Sequence, residues 1–190
     1  EPSIRDGQLK PGSGALFNSS VVFGRDGVPL GQPQRQMHPI FDQRDVLEGE
    51  DKHAINVVDT PAGRLGILIG SDSWYPDNYR KLDAQGAQLV AVPAFVVGHN
   101  VWDQPWGGYK GSSTPSSVSL KPGEVSEGQA WHRLTLTAQP PANNALAGMS
   151  VFLRGQFWDK LSSGQSFLSS NGQQFADGEA RGARLLNVWL

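Results

Sequence analysis

The sequence predicts a strand-rich domain of the α/β or α+β class. Its 23 Gly and 13 Pro in 190 residues fit many turns between short apolar blocks. The pairs Asp26-Gly27 and Asn171-Gly172 are strong hairpin signals, because both positions tolerate positive φ. Residues 65–95 are typical of a strand, a helix and a second strand, which suits a parallel pair covered on both faces. We therefore expect residues 1–190 to form a single domain.

The composition excludes several classes of function. The chain has 16 Lys and Arg against 18 Asp and Glu, without a dense run of either sign, so a nucleic-acid or anionic-membrane partner is not expected. No apolar run approaches the roughly 20 residues that span a bilayer, and a cytoplasmic location is the expectation. The absence of Cys excludes disulfides, thiolate metal sites and a thiol nucleophile. Neither a phosphate loop, a dinucleotide loop nor a zinc motif is present, so we expect no cofactor and no metal.

The first half of the chain opens with a predicted hairpin. A strand in residues 15–27 turns at Asp26-Gly27, and the second arm runs from Val28 to Gln36. Residues 42–53 are the most charged stretch, and we favour a solvated loop there. The further strands are predicted at residues 54–58, 65–69, 89–92, 149–153, 165–169, 173–175 and 184–190.

Two helices are predicted from their end signals. Asp72 or Ser73 is expected to cap a helix that has Pro76 in its first turn and continues to about residue 85. Ser126 is expected to cap a second helix, which continues until Pro140.

A long loop at residues 98–124 carries three large aromatic residues among Gly, Ser and Pro. Trp102, Trp106 and Tyr109 either pack the loop onto its own domain or form an exposed platform for a substrate or sugar. We favour packing, because large aromatic side chains usually bury their area.

Residues 60–77, TPAGRLGILIGSDSWYPD, combine a short apolar strand with a tight turn and a helix start. This segment resembles the nucleophile segment of the nitrilase, or carbon-nitrogen hydrolase, superfamily. In that family the strand leads to a Cys two residues before an Asp, followed by an aromatic residue, a Pro and an acid. Here Gly70 stands where the family has the Cys. The matching residues are Asp72, Tyr75, Pro76 and Asp77.

A second segment, around residues 34–42, is similar to the family's Tyr-Arg-Lys-x-His-x-Phe-Asp segment. Gln36 occupies the position of the Lys, which in the family places a positive charge near the tetrahedral intermediate, and Gln34 occupies that of the Tyr. The resemblance also implies an auxiliary Glu, for which Glu48 and Glu50 are the candidates; spacing does not decide between them. The matching residues are Arg35, His38, Phe41 and Asp42.

The resemblance implies an αββα sandwich that packs face to face with a second copy as a dimer. It begins near Ala15 and covers the later part of the family domain. The N-terminal strands and helices that carry the family's first Glu have therefore been removed, or form a separate chain, or this protein completes its sheet differently. Because an uncovered sheet is a liability, we expect either a complementing N-terminal segment or chain, or a homodimer.

The family's reaction needs a nucleophile, a base and a fixed positive charge, and two of these are missing at the matching positions. We expect a degenerate domain with a binding, assembly or regulatory role, and assign no residue as catalytic. The alternative is an active hydrolase of amide or nitrile bonds that uses Ser71 or residues from a missing segment. For Ser71 we favour turn hydrogen bonding over catalysis. The residues expected near a pocket for an amide-like or nitrile-like ligand are Asp72, Trp74, His38 and Arg35.

Overall fold

A mixed six-stranded sheet with helices against one face forms the centre of the protein. The computed structural model describes residues 2–5, 8–11, 14–49, 55–110, 112–136, 147–176, 183 and 185–187. The strands are β1 (Pro2–Arg5), β2 (Gln8–Pro11), β3 (Ser19–Phe23), β4 (Pro29–Arg35), β5 (Val57–Thr60), β6 (Gly63–Ile67), β7 (Leu89–Ala94), β8 (Ala147–Phe152), β9 (Gln156–Phe157), β10 (Lys160–Leu161), β11 (Phe167–Ser170) and β12 (Gln173–Ala176). The helices are α1 (Pro76–Ala84) and α2 (Glu127–Leu134), and short 3-10 segments span Phe41–Asp45, Gly70–Trp74 and Val101–Asp103.

The strand order in the large sheet is β12-β11-β8-β7-β6-β5. The pairs β6–β7 and β7–β8 are parallel, and the other neighbours are antiparallel. The predicted strand-helix-strand unit is therefore confirmed as β6-α1-β7. Both predicted hairpins are confirmed as well: β3 pairs with β4, and β11 pairs with β12 across Asn171 and Gly172, which have positive φ.

The helices lie close to one face of the sheet, because glycine residues in the strands leave room for the helix side chains. A Cβ on Gly66 would lie 2.5 Å from the Leu82 side chain of α1, and a Cβ on Gly148 would lie 2.5 Å from Leu136, just after α2. Trp131 of α2 packs edge to face on Phe152, with 4.8 Å between the ring centroids. The core lies between these elements and this face of the sheet.

The opposite face of the sheet is apolar and partly exposed. The register aligns Ile67, Ala91, Met149, Leu168 and Phe175 across five strands, so their side chains share this face. Met149 is 37% exposed and Phe175 is 48% exposed. The β3–β4 hairpin contacts this face at its β5 edge, where a Cβ on Gly31 would lie 2.6 Å from Val58.

The first helix starts later than the sequence predicts. Tyr75, rather than Asp72 or Ser73, is the N-cap residue of α1, and Pro76 occupies the first helical turn. The Asp72 carboxylate is bonded to the backbone N–H groups of Met37 and His38. The Ser73 hydroxyl donates to the Gly70 carbonyl. Because both side chains have these partners, neither caps the helix.

Other element boundaries also differ from the predictions. The second helix ends at Leu134, well before Pro140, and residues 137–146 lie outside the described part of the chain. No strand forms at residues 185–187, and most of the predicted 184–190 strand lies outside the described residues. The charged stretch forms a 3-10 segment at residues 41–45 and a loop at 46–49, while residues 50–54 are not described. The short β9–β10 hairpin was not predicted.

The strand β7 continues through Pro93 to Ala94, beyond its predicted end at residue 92. The Ala91 carbonyl accepts a hydrogen bond from the Leu68 N–H (3.0 Å), just after the end of β6. Alternate residues of a strand present their backbone groups to the same neighbour, so the missing N–H of Pro93 faces the side where β6 has ended. The proline therefore costs no hydrogen bond of the sheet.

Within the described ranges, no helix is long and apolar enough to cross a membrane.

Candidate functional site

Gly70 lies three residues beyond the carboxyl end of β6, at the start of the 3-10 segment. Its φ of 53° falls in the left-handed region, which L side chains rarely adopt. Among the described residues, a Cβ built on Gly70 would have one neighbour within 4 Å, the Gln36 Nε2 atom at 3.6 Å. The structure thus brings Gly70 close to Gln36, the two residues that the motif resemblance matches to a Cys and a Lys.

Gln36 is 1% exposed, and both ends of its amide are hydrogen-bonded. Nε2 donates to the Ser71 hydroxyl (3.2 Å), the His38 carbonyl (3.4 Å) and Gln43 Oε1 (3.4 Å). Oε1 accepts from Asn18 Nδ2 at 3.0 Å. A neutral amide with these partners is stable in a buried site, whereas a Lys ammonium there would lack a carboxylate among the same partners.

Ser71 is 2% exposed and is also fully engaged. Its hydroxyl donates to the His38 carbonyl at 2.7 Å and accepts from Gln36. A backbone carbonyl is not a base that removes a proton, so this hydrogen bond does not activate Ser71 as a nucleophile. In the described structure the Ser71 hydroxyl connects the Gln36 amide to the His38 carbonyl, and its catalytic role stays a prediction to be tested.

Asp72 is completely buried and connects the 3-10 segment to the segment after β4. Its carboxylate accepts the Met37 N–H at 3.0 Å and the His38 N–H at 2.8 Å. Burial raises the pKa of Asp72 to about 7, while the hydrogen bonds from Met37, His38 and Ile69 oppose the rise. Asp72 therefore fixes the position of Gln36 by holding the two residues that follow it.

The other residues expected near a pocket have separate surroundings. The His38 ring stacks on Tyr75 with 3.6 Å between centroids. Trp74 is 1% exposed and contacts Trp106, Tyr109 and Trp131 edge to face. The Arg35 guanidinium lies over the Phe17 ring at 4.4 Å. Of the four candidates, His38 is the one that lines the cavity described next.

A cavity of about 430 Å³ opens beside the His38–Tyr75 stack. It lies between residues 37–49 on one side and Tyr75 with Ser112 and Ser113 on the other. Neither Gly70 nor Gln36 belongs to its lining. The cavity is thus separate from the position of the family's nucleophile.

Of the two candidate auxiliary acids, only Glu48 lies in the described part of the chain, and it neither lines the cavity nor hydrogen-bonds Gln36. Glu48 is exposed, and its backbone N–H donates to the Leu16 carbonyl at 2.9 Å. Glu50 lies outside the described residues. In the described part of the chain, no group of three or more acidic or His side chains is placed to hold a metal ion.

The aromatic residues of the long loop are buried, so the exposed sugar platform is wrong and the packing interpretation is confirmed. Trp102, Trp106 and Tyr109 are 6%, 1% and 4% exposed. The Tyr109 hydroxyl donates to the Trp74 carbonyl at 2.6 Å, which ties the loop to the 3-10 segment after Gly70.

Comparison with known proteins identifies the family. The family model described as Carbon-nitrogen hydrolase matches residues 6–144. The chain belongs to the carbon-nitrogen hydrolase family. A deaminated glutathione amidase from Yersinia enterocolitica is 40% identical over 52 residues, which are 26% of this chain and 18% of the relative. A nitrilase from Pyrococcus abyssi is 32% identical over 82 residues, 43% of this chain and 30% of the relative.

Solved structures show the same fold. A member of branch 10 of the nitrilase superfamily from Saccharomyces cerevisiae superposes with a TM-score of 0.59 at 18% identity, covering 88% of this chain and 51% of that one. A carbon-nitrogen hydrolase from Helicobacter pylori gives 0.58 at 22% identity, covering 86% and 54%. A mutant amidase from Nesterenkonia sp., in complex with butyramide, gives 0.57 at 16% identity, covering 82% and 49%. The chain thus spans about half the length of these solved relatives and less of the curated ones.

Sequence reasoning missed the residues that surround Gln36 in this carbon-nitrogen hydrolase domain. Asn18 and Gln43 hydrogen-bond its amide from either side, and neither stood out in the sequence. Isolated Asn and Gln residues give no periodic or motif signal. One clue was present in the sequence. Gln residues occur at positions 34, 36 and 43, close to the place where the family motif has a Lys.

Proposed function

We propose that this domain is a catalytically degenerate member of the carbon-nitrogen hydrolase family with a binding, assembly or regulatory role. The observation that carries the proposal is the pair Gly70 and Gln36. These two residues adjoin where the family has its Cys and Lys, and they supply neither a nucleophile nor a charge.

The family chemistry requires a nucleophile, a base to activate it and a positive charge for the developing oxyanion. The Nesterenkonia amidase has an active-site cysteine, to which acrylamide adds in one of its solved forms, whereas this chain has no Cys at any position. Loss of one oxyanion-stabilising group typically costs a factor of about 100 to 1,000 in rate. Loss of the nucleophile together with the charge therefore supports a role that does not depend on hydrolysis.

The alternative function is hydrolysis of an amide or nitrile through Ser71 or through residues of a further segment. Ser71 directly follows Gly70 in the 3-10 segment after β6. Its hydroxyl, however, donates its proton in a hydrogen bond to the His38 carbonyl. The described residues that hydrogen-bond Ser71 offer it no carboxylate and no imidazole nitrogen. These contacts support the degenerate interpretation over a serine mechanism.

An assembly role is supported by the apolar face of the six-stranded sheet. Met149, Val151 and Phe175 are 37%, 50% and 48% exposed on the face opposite the helices. Contiguous exposed apolar area of this kind is typical of an interaction surface. Since solved relatives extend over about twice the matched length, we propose that a complementing segment or chain packs here, and that a second copy does so when the chain is alone.

The test of degeneracy is an assay for ammonia release from butyramide and from a simple nitrile. We expect no turnover above background, because the chain lacks the nucleophile at Gly70. The assay is repeated on the natural protein at its full intact mass, so that any further segment is included.

Two variants make the result decisive. Ser71→Ala removes the alternative nucleophile, and Ser117→Ala removes an exposed serine of the long loop as the control. Hydrolysis that disappears in Ser71→Ala and persists in Ser117→Ala would establish a serine mechanism and refute the proposal.

A further inference from the structure

The cavity beside the His38–Tyr75 stack has the size of a small-molecule site. Its volume of about 430 Å³ falls within the roughly 300–1,000 Å³ usual for such pockets. The lining separates into two parts. Met37, Pro39 and Leu47 supply apolar surface, while Arg44, Ser112 and Ser113 supply a positive charge and two hydroxyls.

A buried hydroxyl without a well-formed hydrogen bond lies in this lining. Tyr75 is 8% exposed, and its Oη atom makes no hydrogen bond of normal geometry within the described structure, although the Ser112 hydroxyl interacts with it. Burial raises the pKa of Tyr75, and Ser112 and Arg44 oppose the rise. The hydroxyl therefore lies on the polar side of the cavity. Buried polar atoms normally have partners, so this donor is available to an acceptor in the cavity.

We propose that the cavity binds a small organic carboxylate with an apolar body. The carboxylate meets the Arg44 guanidinium and the hydroxyl donors of Tyr75, Ser112 and Ser113, and the apolar body lies against Met37 and Leu47. Hydrogen bonds between ionised partners are about twice as strong as neutral ones, which makes charge the main determinant of specificity here. The proposal does not depend on the loss of catalysis, because neither Gly70 nor Gln36 lines the cavity.

The test compares phenylacetate with phenylacetamide, its neutral counterpart of nearly equal shape, by titration calorimetry on the whole chain. We expect phenylacetate to bind about tenfold or more tightly and to lose affinity as salt is added. Absence of saturable phenylacetate binding, or equal dissociation constants for the two compounds, overturns the proposal.

Variants assign the binding to this cavity. Arg44→Gln removes the charge and is expected to weaken phenylacetate binding about tenfold, with phenylacetamide unaffected. Arg80→Gln, on the exposed surface of α1, is the matched control and is expected to leave the dissociation constants of both compounds unchanged. Affinity for phenylacetate that is unaltered by Arg44→Gln places the ligand elsewhere and contradicts the proposal.

Tyr75→Phe keeps the ring that stacks on His38 and removes only the hydroxyl. We expect phenylacetate binding to weaken about threefold or more, with no fall in Tm, because the lost hydroxyl makes no hydrogen bond of normal geometry in the described structure. A merely structural Tyr75 would instead lower Tm and leave the dissociation constant unchanged.

Discussion

At the scale of single residues, Asp72 has the most consequential environment. Its carboxylate is fully buried and accepts two backbone N–H groups from the segment that carries Gln36. Those hydrogen bonds favour the ionised form, yet burial is the larger influence and raises the pKa to about 7. The folded protein therefore holds a proton at Asp72 over a pH range in which the unfolded chain has released it.

This difference in proton binding predicts a pH-dependent stability. In the unfolded chain Asp72 ionises near its ordinary pKa of 3.8, and in the folded chain near 7. Asp72 therefore makes its largest contribution to the free energy of unfolding below about pH 4. As the pH rises from 4 to 7, that contribution falls by up to about 4 kcal/mol, and above pH 7 it stays constant. Urea unfolding across this range measures it.

The matched variants are Asp72→Asn and Asp103→Asn. The amide introduced by Asp72→Asn stays neutral at every pH and still accepts an N–H through its oxygen, so the fall between pH 4 and pH 7 is expected to disappear. Asp103 is exposed, and its replacement should preserve the fall. An unchanged slope in Asp72→Asn would assign the pH dependence to other groups.

At the scale of elements, α2 has a complete capping box. The Ser126 hydroxyl accepts the Gln129 N–H at 3.2 Å, and Gln129 Oε1 accepts the Ser126 N–H at 3.1 Å. The helix carries Trp131, whose indole packs on Trp74 and Phe152. The position of this aromatic contact therefore depends on where the helix begins.

Removing the cap is expected to destabilise the domain moderately. Ser126→Ala should lower the free energy of unfolding by about 1 kcal/mol, because the Gln129 N–H loses its acceptor. Ser119→Ala, at an exposed loop position, should change it by less than about 0.5 kcal/mol. Equal values for the two variants in urea unfolding would show that the capping box contributes nothing.

The elements show where prediction from sequence succeeds and where it does not. The hairpins at Asp26-Gly27 and Asn171-Gly172, the parallel unit and the Ser126 cap follow from local signals, and the structure confirms them. The predicted start of α1 is wrong because Asp72 and Ser73 bond to distant parts of the chain. Local rules for capping do not include such long-range partners.

The distinction between local signals and long-range contacts also applies to the candidate site around Gly70 and Gln36. The proximity of Gly70 to Gln36 was implied by a resemblance of motifs, since the two residues are far apart in the chain. The Asn18 and Gln43 contacts, and the cavity behind His38, arise only when the hairpin β3–β4 folds beside the end of β6. No pattern within a single element specifies them.

At the scale of the whole molecule, the sheet is covered unequally. One face carries both helices and the buried aromatic cluster of the described residues, and the other presents a row of apolar side chains across five strands. Sheets with parallel strands are usually covered on both faces. The partly exposed face is therefore the surface of the described structure that a partner is expected to cover.

We expect the isolated chain to self-associate through this face. Val151→Lys places a charge in its centre and should shift the sedimentation profile towards monomer, because a buried unpaired charge opposes association. Val28→Lys, at a 44% exposed position in the β3–β4 turn, is the control and should leave the profile unchanged. Identical profiles for both variants and the parent chain would exclude this face as the contact.

Gly70 also has a consequence for the balance between stability and activity. A side chain at a left-handed φ of 53° costs roughly 1–2 kcal/mol, a strain that enzymes retain where it presents a reactive group. Glycine adopts the same backbone without that cost. Under the proposed loss of hydrolysis, a residue that relaxes this turn is favoured, and replacing Gly70 by a residue with a side chain is expected to cost stability before it restores any activity.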